Sequence, residues 1–559
     1  MPSPNTQAEK RTAVAGYDVD QSRTLLLRFD GWSQRIGDQL NPILIKETRQ
    51  ALKSRQFAIT FFSILAAAFA WTVVGSLSRM PQIYNTPSAP NLLIGYYALL
   101  AIPMLLVVPL AAYRSLEVEI DDGTLELLSI SNLNPWQIVL GKLASSLLQI
   151  ILYFIVLLPC MAYAYTLRGV DLTTIFLMIT GLLSSGVLLT IIAIFLAPLT
   201  LSRGGRTLTL LLTVLILIAS VSIISIAMTS LIFDGNPLRE GELFFIVTSC
   251  LVTGSSMGHL LLTATAARLT PESENRSTSL RHSVLTLSSC LMFVTALAIL
   301  TIDEGWIRTT ILPLELTLNV IMISVWTLWT IVGSMLVAES PNLTPRMRRD
   351  LPGSMIGRSL TTWMTPGPIT GLIFVSMNVL VLLIWFKYGL NWLAIRSLSV
   401  DEYTSVSKML DSTYDLSSTF AAYLIVTLIL VKWLFVFIRR KQNPRIEVGA
   451  AALIAITLLM ALIPYAVGLY LNEFRPYRYT NWQLTNWVWT LYSIYDGNPP
   501  AATTLMIKSL AWIGVLATVI LNPKVTRPRK TAVPQRVKQE LSAASPAEGN
   551  TTTFPIDQP

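Results

Sequence analysis

Charge is scarce in this sequence. Asp, Glu, Lys and Arg make up 13% of it, about half the share of a soluble globular chain, which excludes an ordinary water-soluble domain. Histidine occurs only as His259 and His282, so a histidine-built metal centre is excluded. The three cysteines, Cys160, Cys250 and Cys290, all fall inside apolar runs and read as small buried hydrophobes rather than disulfides or ligands. No Walker A stretch is present. Gly141-Lys142-Leu143 lacks the upstream glycine and the hydroxyl residue that would ligate magnesium, and SRGGRT at 202–207 is a short loop rather than a phosphate cradle. HExxH, CxxC and GxSxG are absent as well, so no enzymatic activity and no bound cofactor are expected of this chain. No apolar run precedes about residue 57, and a cleavable signal peptide is therefore not expected.

What fills the chain instead is hydrophobic length. With 53% hydrophobic residues, it breaks into runs of about 20 residues, as a roughly 30 Å hydrocarbon core demands. They fall near 57–77, 92–113, 144–166, 173–200, 206–233, 243–266, 283–301, 310–338, 368–388, 416–438, 448–470 and 502–521. The expected fold is an all-α polytopic membrane bundle of about 12 transmembrane helices with cytoplasmic interfacial helices. With the N-terminus inside, the cytoplasmic loops and tails hold about 30 of the 41 lysines and arginines. The densest clusters are Arg346, Arg348, Arg349 and Arg439, Arg440, Lys441, Arg445. Both termini are therefore expected in the cytoplasm. The net charge of +9 is topological, and nucleic acid is not needed as a partner.

Between the runs lie amphipathic and polar stretches. Leu25, Leu26, Phe29, Trp32, Ile36 and Leu40 recur at helical spacing, which predicts an interfacial helix over 22–40. After Asn41-Pro42 a second helix carries Lys46, Arg49 and Lys53 on one face, suited to anionic lipid or to a partner subunit. Residues 122–140 read as a short helix, an elbow and a helix entering the bilayer. Asp121 and Asp122 read as the start of the short helix, and Asn134-Pro135 as the N-cap and first residue of the next. The most polar span holds Gly254, Ser255, Ser256, Gly258 and His259, a GxxxG pattern read as helix packing or, alternatively, a substrate path. Two outer loops are expected at 389–415 and 471–501, the second rich in Tyr and Trp, and a disordered tail from about 522. Convincing mid-membrane carboxylates are lacking, which argues against a proton-driven carrier.

Glu119, then Gly123, Thr124, Leu125, Glu126, Leu127 and Leu128, and later Gly141-Lys142, together resemble the first large cytoplasmic loop of ABC-2 type ABC-transporter permeases. Asn41 to Phe57 is similar to that family's lead-in to the first span, and the resemblance covers roughly residues 41–270. With the spans read above, the expected organisation is 1–56 as a cytoplasmic N-terminal region, 57–270 as a membrane half that the resemblance makes ABC-2-like, 271–521 as a second membrane half outside the resemblance, and 522–559 as a tail. The resemblance also implies a permease subunit, working as an exporter, in a bacterial inner (plasma) membrane. A separate ATPase subunit would bind ATP and magnesium and press on Gly123, Thr124, Leu125, Glu126, Leu127, Leu128 and Trp136. The loop 339–367 has no Gly-Thr-Leu-Glu equivalent, which favours a homodimer over one chain supplying both halves. The competing readings are a non-transporting membrane scaffold or assembly factor and, third, a secondary transporter.

Overall fold

The computed structural model describes residues 42–81, 86–123, 134–200, 203–234, 240–271, 274–301, 314–341, 354–441, 448–475, 483–496 and 501–522, with a few isolated positions besides. Every regular element among them is helical. Among the described residues, twelve helices are long and apolar enough to cross a membrane, in line with the expected number. The chain is a polytopic, multi-pass helical membrane protein. It divides into two compact units, residues 1–237 with 257–270 and residues 238–256 with 271–559.

The first unit holds α1 (Pro42–Lys53), α2 (Arg55–Ser78), α3 (Ala89–Asp121), α4 (Pro135–Thr166), α5 (Leu172–Leu199), α6 (Arg203–Asp234) and the C-terminal part of α7 (Glu240–Leu269). Its centre is α3 and α5, 61% and 56% buried across their apolar windows, while α2 at 6% and α6 at 11% face outward. Lipid tails are as apolar as leucine, so burial of apolar surface cannot by itself hold such outer helices. Here paired hydroxyls add to the packing. Tyr153 of α4 lies 2.7 Å from Thr60 of α2, Tyr96 of α3 lies 2.7 Å from Thr72, and Tyr163 lies 2.9 Å from Ser76. On the other side α6 is tied to α3 by Tyr97 with Ser225 and Tyr113 with Thr209. Inside α3, Pro103 opens a π-helical turn over Pro103–Val107, as expected where a residue without an N–H interrupts the ladder.

The second unit takes the N-terminal part of α7, then α8 (Ser277–Leu300), α9 (Leu314–Val337), α10 (Met355–Thr362), α11 (Pro368–Ser397), α12 (Val400–Ile438), α13 (Val448–Leu471), α14 (Trp487–Tyr495) and α15 (Ala501–Ile520). Helices α8, α9, α11 and α12 are at least half buried, and α13 and α15 lie outside them at 17% and 22%. The stretch 389–415, expected as an outer loop, is helical almost throughout. A π-helical turn at Trp385–Gly389 carries α11 on to Ser397, and α12 starts at Val400 with Ser399 and Glu402 forming a capping box. Lys387 reaches Asp411 at 2.9 Å and fastens the two extensions together. Cys160, Cys250 and Cys290 are free, but Cys250 is exposed and the other two half-buried, so none is the fully buried hydrophobe expected from sequence.

Candidate functional site

Pro42 opens α1 as its first residue, with the fixed φ that a helix start favours. The helix lays Ile43 and Glu47 inward and leaves Arg49 and Lys53 exposed. Its docking partner is the start of α4. Here Asn134 and Gln137 form a capping box, with the Asn134 side chain accepting from the Trp136 N–H and Pro135 as the first helical residue. The expected cap is therefore present. One turn on, Gly141 faces α1 so closely that a Cβ would lie 2.9 Å and 3.0 Å from Ile43 and 3.2 Å from the Leu44 backbone nitrogen. No larger residue fits without moving α1.

Lys142 sits beside it and is 2% exposed. Its ammonium lies 3.1 Å from Glu47 of α1 and 3.0 Å from Glu119 of α3. It also donates to the Ser115 hydroxyl at 2.7 Å, and Ser115 in turn donates to Glu47 at 3.0 Å. Lys46 reaches the other oxygen of Glu119 at 3.1 Å from the exposed side. Two lysines and two carboxylates thus balance in charge around one buried amine, as a buried ion cluster requires. The cluster welds α1, the end of α3 and the start of α4 into one joint.

Between the ends of α3 and α4 runs the loop on which the sequence expectation centred. Of its residues, Gly123 and Trp136 are described, whereas Thr124, Leu125, Glu126, Leu127 and Leu128 lie outside the described residues, as does the helix expected over 22–40. The reading of Asp121 and Asp122 as a helix start is corrected here. They close α3: Asp122 is its C-cap, and Gly123 follows with φ +67°, the left-handed stop that glycine adopts without strain. Acidic groups at a helix C-terminus oppose the dipole, and Asp121 is offset by an ion pair with Arg206 of α6.

Trp136 and His259, expected in separate roles, are brought together. Their rings stack at 5.9 Å and 27°. In the same turn of α7, a Cβ at Gly258 would lie 3.1 Å from the Ile191 side chain, whereas one at Gly254 would meet nothing within 4 Å. Ser255 is exposed, and Ser256 is buried with its hydroxyl returned to the carbonyls of Val252 and Thr253 in its own helix. Glu47, Ser115 and Arg206 were not singled out by sequence reasoning. The one available signal was an acid, Glu47, set inside the otherwise basic α1.

The second unit has a buried ion pair of its own. Arg281 of α8 is fully buried and meets Glu339, just past α9, at 2.7 Å. It also donates to the Trp363 carbonyl at 2.6 Å and to the Ser277 hydroxyl at 3.1 Å. Glu339 takes the Gly367 N–H at 2.8 Å, and Arg439, just past α12, donates to the Ala338 carbonyl at 2.6 Å. The segment from α10 into α11 is held by the ends of α8 and α9, and Arg439 in turn ties the end of α12 to that of α9. Compared with known proteins, the chain matches no family model, no curated protein and no solved structure.

Proposed function

We propose that this chain is the membrane-spanning subunit of an ABC-2-like exporter, driven by a separate nucleotide-binding subunit that carries ATP and magnesium. The observation that supports this reading is the joint around Lys142. It fixes α1 against the helix ends on both sides of the 122–134 loop. A push on that loop would reach the second and third spans through a rigid coupling rather than being lost in a hinge. A loop that merely rested on lipid would have no use for such bracing. Two copies of the chain per complex are the expected stoichiometry, and a native mass measurement checks it.

The reading is tested by purifying the tagged full-length chain from its native membrane in mild detergent. An ATPase should travel with it, and vanadate-sensitive ATP hydrolysis should appear in the complex. Leu127→Asp, which puts a carboxylate into the loop's leucine-rich sequence, should leave membrane insertion intact and remove the ATPase. Equal recovery of the ATPase with the variant, or none with the unaltered chain, would sink the proposal.

A further inference from the structure

Contacts from two spans put part of the stretch 471–501 below the membrane surface. The Trp487 indole N–H donates to the Thr457 carbonyl of α13 at 3.0 Å. Thr457 is nine residues past Val448 and fourteen short of Leu471, about 14 Å and 21 Å from the two ends of the helix at 1.5 Å per residue. Wherever a roughly 30 Å core is laid along α13, Thr457 lies about 7 Å or more inside it. Two residues on, Trp489 meets Tyr465, nearer the Leu471 end, at 6.1 Å between ring centroids. From α12, Tyr423 donates to the Leu484 carbonyl at 2.6 Å. Tyr423 stands fifteen residues before the far end of that helix at Ile438, about 22 Å, which again falls within the core.

The chain leaves on the side from which it came. α14 starts at the deep contact and runs back past Tyr465, and Lys508 of α15 lies 4.0 Å from Asp415, in the half of α12 that begins at Val400. Irregular backbone at such depth needs protein or a water-filled space to meet its polar groups. The Asn486 side chain caps α14 by accepting from the Trp489 N–H, and the Asn486 N–H donates to the Gln483 carbonyl at 2.8 Å. The Thr490 hydroxyl donates to the Asn486 carbonyl at 2.9 Å and lies 2.9 Å from the Tyr479 hydroxyl. The Gln483 side chain is the exception. It is fully buried, yet neither its oxygen nor its nitrogen meets a hydrogen-bond partner among the described residues.

Burying an amide unbonded is costly, and unmet buried polar groups are where native proteins hold ordered water, at about three hydrogen bonds per molecule. The amide offers an acceptor and donors together, which water can answer at once. The groups nearest in the chain and network, Tyr423, Tyr479, Asn486 and Thr490, are neutral, so nothing there calls for an ion. We infer that 483–495 is a re-entrant element and that the Gln483 amide at its deep end is a hydration site within the membrane. The inference goes beyond the proposed exporter and holds whether or not the chain transports anything.

Two measurements on the full-length chain in phosphatidylcholine nanodiscs test the two parts. With the native cysteines replaced by alanine, a nitroxide at Thr485→Cys is paired with one at Leu458→Cys or at Tyr470→Cys, all exposed positions. Dipolar spectroscopy should give the shorter distance to Leu458, and the reverse order would overturn the re-entrant geometry. Synchrotron X-ray radiolysis, which makes hydroxyl radicals from water in place, reads the hydration. Tyr423, buried beside the tip, should be oxidised several-fold more than Tyr96 and Tyr153, which are as buried and have hydroxyls paired with Thr72 and Thr60. Gln483→Leu should lower Tyr423 oxidation several-fold while Tyr96 and Tyr153 stay protected and exposed Tyr470 is unchanged. Tyr423 oxidised no more than Tyr96 and Tyr153, or unmoved by Gln483→Leu, would overturn the hydration site.

Discussion

Lys142 and Glu47 stand 95 residues apart in the chain and meet at 3.1 Å. The pair connects a short amphipathic helix outside the spans to the first turns of a helix that crosses them. Gly141 makes the approach sterically feasible and Lys142 makes it electrostatically specific. The Gly-Lys dipeptide, which nucleotide binding would have explained only poorly, is a packing and pairing device.

Removing the amine should undo the joint. Lys142→Met leaves buried Glu47 and half-buried Glu119 as neighbouring carboxylates with Lys46 alone to serve them, a loss of about 3–5 kcal/mol if nothing relaxes. Amide hydrogen exchange over 42–53 should accelerate strongly. Adding Glu47→Gln to Lys142→Met should recover part of the protection, because one unpaired charge is removed with its partner. Unchanged exchange in the single variant would mean that α1 is held by its apolar face alone.

The steric half of the joint has its own signature. Gly141→Val places a branched side chain against Ile43 and the Leu44 backbone, where even a Cβ has less than ordinary contact distance. Overpacking of this kind costs about 1–3 kcal/mol and should lower the melting temperature of the detergent-solubilised protein. Ile43→Ala makes room, so the double variant Ile43→Ala/Gly141→Val should melt above Gly141→Val. Additive losses in the pair would show that the two residues do not press on each other.

How much of this could be read beforehand depended on whether the constraint was local. Spans are legible because a bilayer enforces long apolar runs, and Asn134-Pro135 is legible because a cap is written in adjacent residues. Asp121-Asp122-Gly123 was ambiguous: acidic residues suit a helix start, glycine suits a helix stop, and both fit the same letters. Gly123 in the left-handed region decides it, with Arg206 offsetting Asp121 from 85 positions away. The Lys142 cluster was not legible, since nothing near Lys142 announces Glu47. The tyrosine–hydroxyl pairs escaped for a similar reason. In a helix apolar all round, periodicity does not mark which face meets a neighbour.

Within the second unit the Arg281–Glu339 pair should dominate stability. Arg281 is fully buried, so Glu339→Ala strands a guanidinium and also frees the Gly367 N–H and Ser277 hydroxyl that Glu339 accepts. Breaking one partner of a buried pair costs about 3–5 kcal/mol. The expected result is a large drop in melting temperature and faster proteolysis near 354–367. Arg281→Met/Glu339→Leu should be markedly milder than either single change, because no charge is left unpaired. A double variant as unstable as the worse single one would refute the pair as the cause.

Orientation follows from the same end of that unit. Arg281, Glu339 and Arg439 gather the ends of α8, α9 and α12, and the basic runs around Arg346–Arg349 and Arg440–Lys441 adjoin them in sequence. By the positive-inside rule that end is expected in the cytoplasm. Reporters fused within 341–349 or after Lys530 should therefore read as cytoplasmic, and one near Thr485 as external. An external signal from 341–349 would invert the topology and move the Lys142 joint to the wrong side for any cytoplasmic ATPase.

In the proposed complex, docking of an ATPase and transmission of its stroke would be separable, and the joint gives a way to separate them. Leu127→Asp alters the loop itself, putting a carboxylate where an apolar contact is proposed, at a cost of several kcal/mol if it stays buried and charged (roughly the penalty for an unpaired buried ion). Leu128→Pro, in the segment that the sequence predicts to be helical, should cost about 3 kcal/mol. Both should abolish ATPase recovery. Lys142→Met leaves the loop sequence untouched and weakens only its bracing. It should retain much of the bound ATPase while losing whatever change in the spans ATP produces, measurable as ATP-dependent labelling of cysteines placed in α3 and α4. If Lys142→Met loses the ATPase as completely as Leu127→Asp, the joint shapes the docking surface rather than transmitting through it. If all three variants behave as the unaltered chain, the loop is a surface feature of the membrane and the coupling role falls.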